Sequence, residues 1–358
     1  MHTRNRSTEL NEATIRRIDA SDMRELLLRF PEQIEEAIAI GERSSVSLDL
    51  SKVSSIVITG LGGSAIGGDL LRSYLADEVR IPIVVNRHYS LPEFVTRRSL
   101  VIVSSYSGNT EETIAAHRDA LKRGARVLCI SSNGATEGIA KQHKNALIKI
   151  PGGFPPRAAL GYSFFPILVT LLRNGLVRRR RRDLQETVGL LKKRARLYGE
   201  LASSSNDALS IARELRGRLP VIYSTTEHLD SVNLRWRTQL AENAKVLAYG
   251  NVLPEMNHNE LVGWKVLKKL MKEIAVVILR DADEHPRVRV RLDLTKKIVS
   301  KYSSHIIEVK SEGETLLARM FSLIYLGDWV SYYLAILNGV DPTPVKVIDY
   351  LKSELAKV

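Results

Sequence analysis

The chain reads as α/β: two doubly wound parallel sheets, each flanked by helices, with further helical segments at both ends. Three observations predict it. Short β-branched runs alternate with stretches of helical spacing, the order that right-handed crossovers and a parallel sheet require. Two loops rich in Gly, Ser and Thr each follow an apolar run and enter a helix. The pattern then recurs, with corresponding runs about 45 and about 26 residues apart in the first half and about 55 and about 30 in the second.

Residues 1–45 are expected to form a polar helical segment, most amphipathic over 23–30. A first α/β domain follows over 46–175. Its strands are predicted at Ile56-Val57-Ile58-Thr59, 81–85, 100–103, 126–130 and 147–150, with helices over 68–75 and 110–122 between them and 160–172 at the end. Residues 176–216 form a basic linker and helix: five arginines, Arg178 to Arg182, then a long helical pattern from Leu184 to about Leu215. The second α/β domain, 217–340, has apolar runs at 221–224, 274–279 and 304–309, a helix over 230–242 and a long helical stretch over 315–338. Asp341-Pro342-Thr343-Pro344 introduces a C-terminal helix within 341–358.

A length of 358 residues suits two domains with proper cores, and 44% hydrophobic with 26% charged residues is a globular composition. No apolar run approaches the roughly 18 residues of a membrane span, and Met1-His2-Thr3-Arg4-Asn5-Arg6 has no apolar core after it, so a cytoplasmic protein is expected. Cys129 is the only cysteine, which excludes an intrachain disulfide and a cysteine-based zinc site. Its place in Val127-Leu128-Cys129-Ile130 predicts a buried strand residue rather than a reactive thiol. A net charge of +13 raises nucleic acid as a partner, but much of the excess lies in Arg178 to Arg182 and in Lys192, Lys193, Arg194 and Arg196. Such a run reads as a solvated linker and helix face, so a nucleic-acid partner is disfavoured.

The stretch Ser104-Ser105-Tyr106-Ser107-Gly108-Asn109-Thr110-Glu111-Glu112 joins a predicted strand to a predicted helix. Hydroxyls, a glycine free to take positive φ and exposed helix-start amides suit a phosphate without any lysine or arginine. The ordinary reading is that Asn109 and Glu112 form a capping box. Glu111 and Glu112 favour the helix dipole rather than a ligand, because a carboxylate repels phosphate. A second such loop, Gly60-Leu61-Gly62-Gly63-Ser64-Ala65, also fits the dinucleotide fingerprint through Gly60, Gly62 and Ala65. The next strand, however, runs into Asn86-Arg87, with no acid placed to hold a ribose hydroxyl. In an open parallel sheet both loops would face each other beyond the strands' carboxyl ends.

The two loops resemble those of the sugar isomerase (SIS) domain, and further motifs narrow the match. Residues 62–69, residues 105–112, Pro155-Pro156-Arg157-Ala158-Ala159-Leu160-Gly161-Tyr162, Ala241-Glu242-Asn243, Asn257-His258-Asn259-Glu260 and Asp349-Tyr350-Leu351-Lys352 occur in the order seen in the bifunctional phosphoglucose/phosphomannose isomerases. The resemblance runs from about residue 45 to the end. It implies two SIS domains and reversible aldose-ketose isomerisation of glucose 6-phosphate, fructose 6-phosphate and mannose 6-phosphate through a cis-enediolate, without cofactor or metal. It implies phosphate binding by Gly63, Ser64, Ser105, Ser107 and Thr110. It puts the base on Glu242, the positive charge that holds the enediolate oxygen on Arg157, the proton for the ring oxygen on His258, and help in ring opening on Lys352. It also implies a homodimer in which His258 serves the neighbouring subunit's site.

Each of these residues has an ordinary reading. Glu242 shares a polar helix face with Arg235, Thr238 and Gln239 and could be a solvated surface carboxylate; Arg157 and Lys352 could be surface cations. Asn257 and Glu260 suggest that His258 sits in the first turn of a helix running to Lys272, where the dipole disfavours imidazolium; a helix-start histidine with no role is the plain alternative. His258 with Glu260, and His143, His285 and His305, show no metal-ligand spacing. Two other functions are open to SIS domains. A sugar-phosphate sensor would need a DNA-binding module or a lost catalytic set, and an amide-dependent synthase would need a nucleophilic cysteine near the N-terminus. None of these features is present in the sequence.

Overall fold

The computed structural model describes residues 10–177 and 181–357. The opening Met1 to Arg6 and the arginines Arg178, Arg179 and Arg180 lie outside the described residues. The chain separates into two compact units. One holds Arg29–Gly189 with Glu314–Ala318; the other holds the residues up to Leu28, Leu190–Gly313 and Arg319 onward.

Helices Glu12–Ile18 (α1) and Met23–Leu28 (α2) precede the first sheet. Asn11 caps α1 by accepting from the Thr14 amide at 2.9 Å. In the unit that begins at Arg29 come Phe30–Arg43 (α3), Ser55–Thr59 (β1), Gly63–Leu75 (α4), Ile83–Asn86 (β2) and Ser99–Ser104 (β3). Glu111–Lys122 (α5), Arg126–Ser131 (β4), Gly134–Gln142 (α6), Ala146–Lys149 (β5) and Leu160–Arg173 (α7) complete it. All five strands are parallel in the order β2-β1-β3-β4-β5. The chain leaves β1 for one side and returns on the other, so a switch point lies between β1 and β3. Every residue of β1 and β3 is buried, the pattern of central strands covered on both faces. Cys129 lies in β4 with no exposure, and burial pushes its thiol up to about 12, which leaves it inert.

The predicted helix from Leu184 to Leu215 is two helices, Arg181–Gly199 (α8) and Asp207–Leu215 (α9). Asn206 makes the break. Its amide nitrogen donates to the Tyr198 and Glu200 carbonyls at the end of α8, and its oxygen accepts from the Leu209 amide at the start of α9. One side chain thus serves both orphaned helix ends. Arg181 and Arg182, which open α8, are exposed, and Arg182 pairs with Glu314.

The second unit holds Leu219–Thr225 (β6), Asp230–Glu242 (α10), Tyr249–Leu253 (β7), Lys268–Met271 (α11), Ile274–Arg280 (β8), Pro286–Val299 (α12) and His305–Lys310 (β9). Leu316–Leu337 (α13), whose first residues belong to the other unit, and Lys346–Leu355 (α14) end the chain. The sheet is again parallel, β7-β6-β8-β9. It repeats the first sheet strand for strand from β2 to β4, so the recurrence of spacing corresponds to a repeated architecture. The edge strand β7 escapes a propensity reading because Gly250 and Asn251 sit in it; Asn233 of α10 holds it by donating to the Asn251 carbonyl at 3.1 Å.

Helix α13 departs from the expectation that no stretch approaches span length. It is long and apolar enough to cross a membrane, yet its apolar length is wholly buried in the protein. Trp236 of α10 donates from Nε1 to the Leu323 carbonyl at 2.8 Å, and Arg235 makes a two-pronged ion pair with Asp328 at 3.1 and 2.9 Å. Arg235 is only 2% exposed. The face of α10 read as solvated is therefore partly buried: Arg235 and Gln239 both pack inward, and the Gln239 amide also bonds the Asp328 carboxylate. Replacing Arg235 by Met leaves Asp328 buried without its counter-charge and is predicted to cost about 3 to 5 kcal/mol of unfolding free energy in urea titration; a loss under about 1 kcal/mol would contradict the assignment.

Candidate functional site

In the first unit, three loops meet beyond the carboxyl ends of β1 and β3. Helix α4 begins at Gly63, preceded by Gly62 at φ +55 with no side-chain cap. Helix α5 begins at Glu111, and its N-cap Thr110 makes no side-chain cap bond. Neither helix N-terminus is capped by the side chain of its N-cap residue, and each has the positive end of the dipole behind it. The capping-box reading of Asn109 fails. Its Oδ1 accepts from the Ala135 amide at 2.9 Å and so serves the start of α6 instead.

The loops lock one another. Ser64 Oγ accepts from the Tyr106 amide at 3.2 Å, Ser132 Oγ donates to the Tyr106 carbonyl at 2.6 Å, and the Tyr106 hydroxyl accepts from the Phe154 amide at 3.0 Å. Gly108 holds φ +70, and a β-carbon there would lie 1.7 Å from the Asn133 carbonyl oxygen. Only glycine makes that turn. Ser64 and Ser105 are buried, whereas Ser107 is exposed and Thr110 half-buried. Ser105 Oγ lies 3.4 Å from Thr110 Oγ1, a loose contact that spans the mouth of the α5 loop.

The third loop carries Arg157 on a short 3-10 turn, Pro156–Ala158. The surface-cation reading fails here: Arg157 is 3% exposed. A β-carbon on Gly63 would sit 2.7 Å from the Pro156 carbonyl oxygen, so the loop is seated directly on the start of α4. Gln33 of α3 fastens the same loop from the other side, donating to the Ala158 carbonyl and accepting from the Gly161 amide, both at 2.9 Å. The absence of an acid after β2 also has a structural counterpart. Asn86 turns to Thr59 and the His88 carbonyl, and Arg87 pairs with Asp69 of α4.

In the second unit, Glu242 is the last residue of α10 and is half-buried. The helix end is fixed by Asn243, whose side chain donates to Ser331 Oγ at 3.0 Å, and by Lys245. The Lys245 ammonium donates to the Glu242 carbonyl at 2.6 Å and the Pro342 carbonyl at 3.1 Å. Glu242, Lys245, Val246, Asp341, Pro344 and Ile348 line a cavity of about 620 Å³. Lys352 lies further along α14, exposed and outside that lining. Of the sequence-predicted residues in this unit, the structure therefore brings only Glu242 to the cavity.

The helix start expected for His258 is absent. Residues Glu255–His258 and Glu260–Lys265 form two 3-10 turns, and the α-helical piece before β8 is only Lys268–Met271. Asn259 breaks the run at φ −145, ψ −64, and Gly263 weakens any continuous helix. The dipole argument for His258 therefore has no helix to act through. Its ring is exposed and makes no hydrogen bond among the described residues. Among those residues no group of three His, Cys, Asp or Glu side chains gathers as a metal site. Sequence reasoning assigned no role to Lys245, Asn243 or Asp341; the last two stood in stretches that the sequence singles out, and Lys245 carried no signal of its own.

Comparison with known proteins gives consistent matches. Residues 204–355 match the family described as bacterial phospho-glucose isomerase C-terminal SIS domain, and residues 49–153 match the SIS domain family. A bifunctional phosphoglucose/phosphomannose isomerase of Caldicellulosiruptor bescii is 44% identical over 337 residues, 94% of this chain and 99% of that protein. One from Aquifex aeolicus is 38% identical over 319 residues, 88% of this chain and 95% of the relative. A solved structure of a hypothetical protein from Thermus thermophilus superimposes with a TM-score of 0.73 at 16% identity, covering 97% of this chain and 94% of that one, a likeness of fold.

The seat of the third loop on α4 can be tested. Gly63→Ala forces the Pro156 carbonyl away and is predicted to weaken binding of a phosphate ester by about tenfold or more, ~1.4 kcal/mol by titration calorimetry. Gly138→Ala, where a β-carbon meets nothing within 4 Å, should leave binding unchanged; equal affinity in the Gly63 variant would contradict the geometry.

Proposed function

The chain belongs to the family of bifunctional phosphoglucose/phosphomannose isomerases, and we propose that it interconverts glucose 6-phosphate, mannose 6-phosphate and fructose 6-phosphate by moving a proton between C1 and C2. The observation that carries this reading is the pair of uncapped helix N-termini at the β1/β3 switch point. They form a neutral, hydroxyl-lined cradle that suits the phosphate of a small ester.

Gly63, Ser64, Ser105, Ser107 and Thr110 bind the phosphate through backbone amides and hydroxyls. Holding the non-reacting end of the sugar supplies the orientation on which proton transfer depends. His258 delivers a proton to the ring oxygen and opens the hexose, and Lys352 assists that step or steadies the hydroxyls. Glu242 takes the proton from one carbon and returns it to its neighbour, so a single carboxylate on one face of the cis-enediolate serves both directions. Arg157 stabilises the enediolate oxygen, and its burial supports the role, because a fixed cation away from water acts without solvent rearrangement. The half-buried setting of Glu242, at a helix end held by Asn243 and Lys245 beside a cavity, supports a positioned base.

We further propose a cytoplasmic homodimer in which His258 of one copy serves its partner. The support is local: the exposed His258 ring precedes Val262, Val266, Leu267 and Leu270, all of them exposed apolar side chains. A cluster of that kind is what an interface between copies would cover.

Glu242→Gln keeps the shape of the side chain and removes the base. Turnover of glucose 6-phosphate in a coupled assay is predicted to fall by roughly two to four decades while binding of the phosphate ester stays within about threefold. More than a tenth of the parent turnover would remove Glu242 from the role.

A further inference from the structure

We propose that Glu260 is a positioning residue for His258, tying the turn that carries the imidazole to the second sheet through Tyr223 and Asn251. The inference rests on the reading of His258 as the ring-opening residue. Because two short 3-10 turns replace the expected helix, backbone hydrogen bonding alone holds this segment poorly. Side-chain tethers take over. Ahead of His258, Asn257 donates to Thr295 Oγ1 of α12 at 2.9 Å. Behind it, Glu260 uses both carboxylate oxygens: Oε1 accepts from the Tyr223 hydroxyl of β6, and Oε2 accepts from the Asn251 amide of β7 at 2.8 Å. Trp264 completes the cluster by donating from Nε1 to the same Tyr223 oxygen at 3.2 Å.

Tyr223 has no exposure and Trp264 is 4% exposed, so the anchor is built into the core and not laid on the surface. Burial and the neighbouring carboxylate push the Tyr223 hydroxyl up, which keeps it a donor across the working pH range. Hydrogen bonds to a charged acceptor are stronger than neutral ones, and here two of them converge on one side chain two residues from His258. With both oxygens committed to the sheet, Glu260 acts on the reaction through the place of its neighbour.

A double-mutant cycle separates positioning from general support of the fold. Turnover is measured with glucose 6-phosphate, which must be ring-opened, in the parent, Glu260→Ala, His258→Ala and the combined variant. Glu260→Ala is expected to lower kcat about 10- to 100-fold in the parent with KM within about twofold. It should cost less than about twofold once His258 is already Ala, because a positioning group has nothing left to position. If Glu260→Ala does not fold, Tyr223→Phe tests the same tether with the same expectation. An equal loss in both backgrounds, or no loss in the parent, would overturn the proposal while leaving His258 in its role. Full activity of His258→Ala would instead remove the role itself and the proposal with it.

Discussion

The bare α-carbon of Gly63 is the constraint on which the proposed phosphate cradle depends. The Pro156 carbonyl oxygen lies 2.7 Å from where a β-carbon would be, so the turn carrying Arg157 can rest on the first residue of α4. From that contact the rest of the arrangement in this unit follows. Ser64, one residue on, accepts the Tyr106 amide; Tyr106 in turn takes the Phe154 amide and ties the first residues of the third loop to the second. Three loops from distant parts of the chain thereby become one rigid surface. Rigidity matters because amides and hydroxyls aimed at an anion bind it well only when they need no reordering.

The two sheets show how one topology takes on different chemistry. Beyond β3 the loop is neutral and glycine-bent. At the end of the equivalent strand β8 stands Arg280-Asp281-Ala282-Asp283-Glu284, where carboxylates outnumber the arginine. Arg280 grips both oxygens of Glu284 and reaches Asp293, and Arg319 pairs with Asp281. Those carboxylates would repel a phosphate, and their cations are occupied in holding the fold. Both sheets keep the same strand order over their shared part, while the loops beyond β3 and β8 differ in charge, so the difference lies in the loops.

Much of this was legible in the sequence. The β-branched runs at 56–59, 100–103 and 274–279 declare buried strands, and the Gly/Ser/Thr loops after two of them declare the helix starts of α4 and α5. What escaped depends on partners far away in the chain. Nothing near Arg235 announces Asp328, 93 residues on, so a polar helix face looked solvated. Arg157 looked like a surface cation for the same reason. Strand β7 contains Gly250 and Asn251 and is held as an edge by Asn233, a contact no local propensity encodes. The turn of His258 looked helical because Asn257 and Glu260 resemble capping residues, whereas both side chains are spent on tethers to α12 and the sheet. The family resemblance supplied roles that spacing alone could not assign to Glu242 or Lys352.

The most direct measurement of the central claim is to incubate the purified chain with fructose 6-phosphate in D2O and follow the products by NMR. The account predicts that glucose 6-phosphate and mannose 6-phosphate both form and that deuterium accumulates at C2 of both over repeated turnovers, as the carboxylate exchanges a share of its proton with solvent between the two carbons. No aldose phosphate at all, only one of the two epimers, or no deuterium at C2 even after many passes through equilibrium would contradict it.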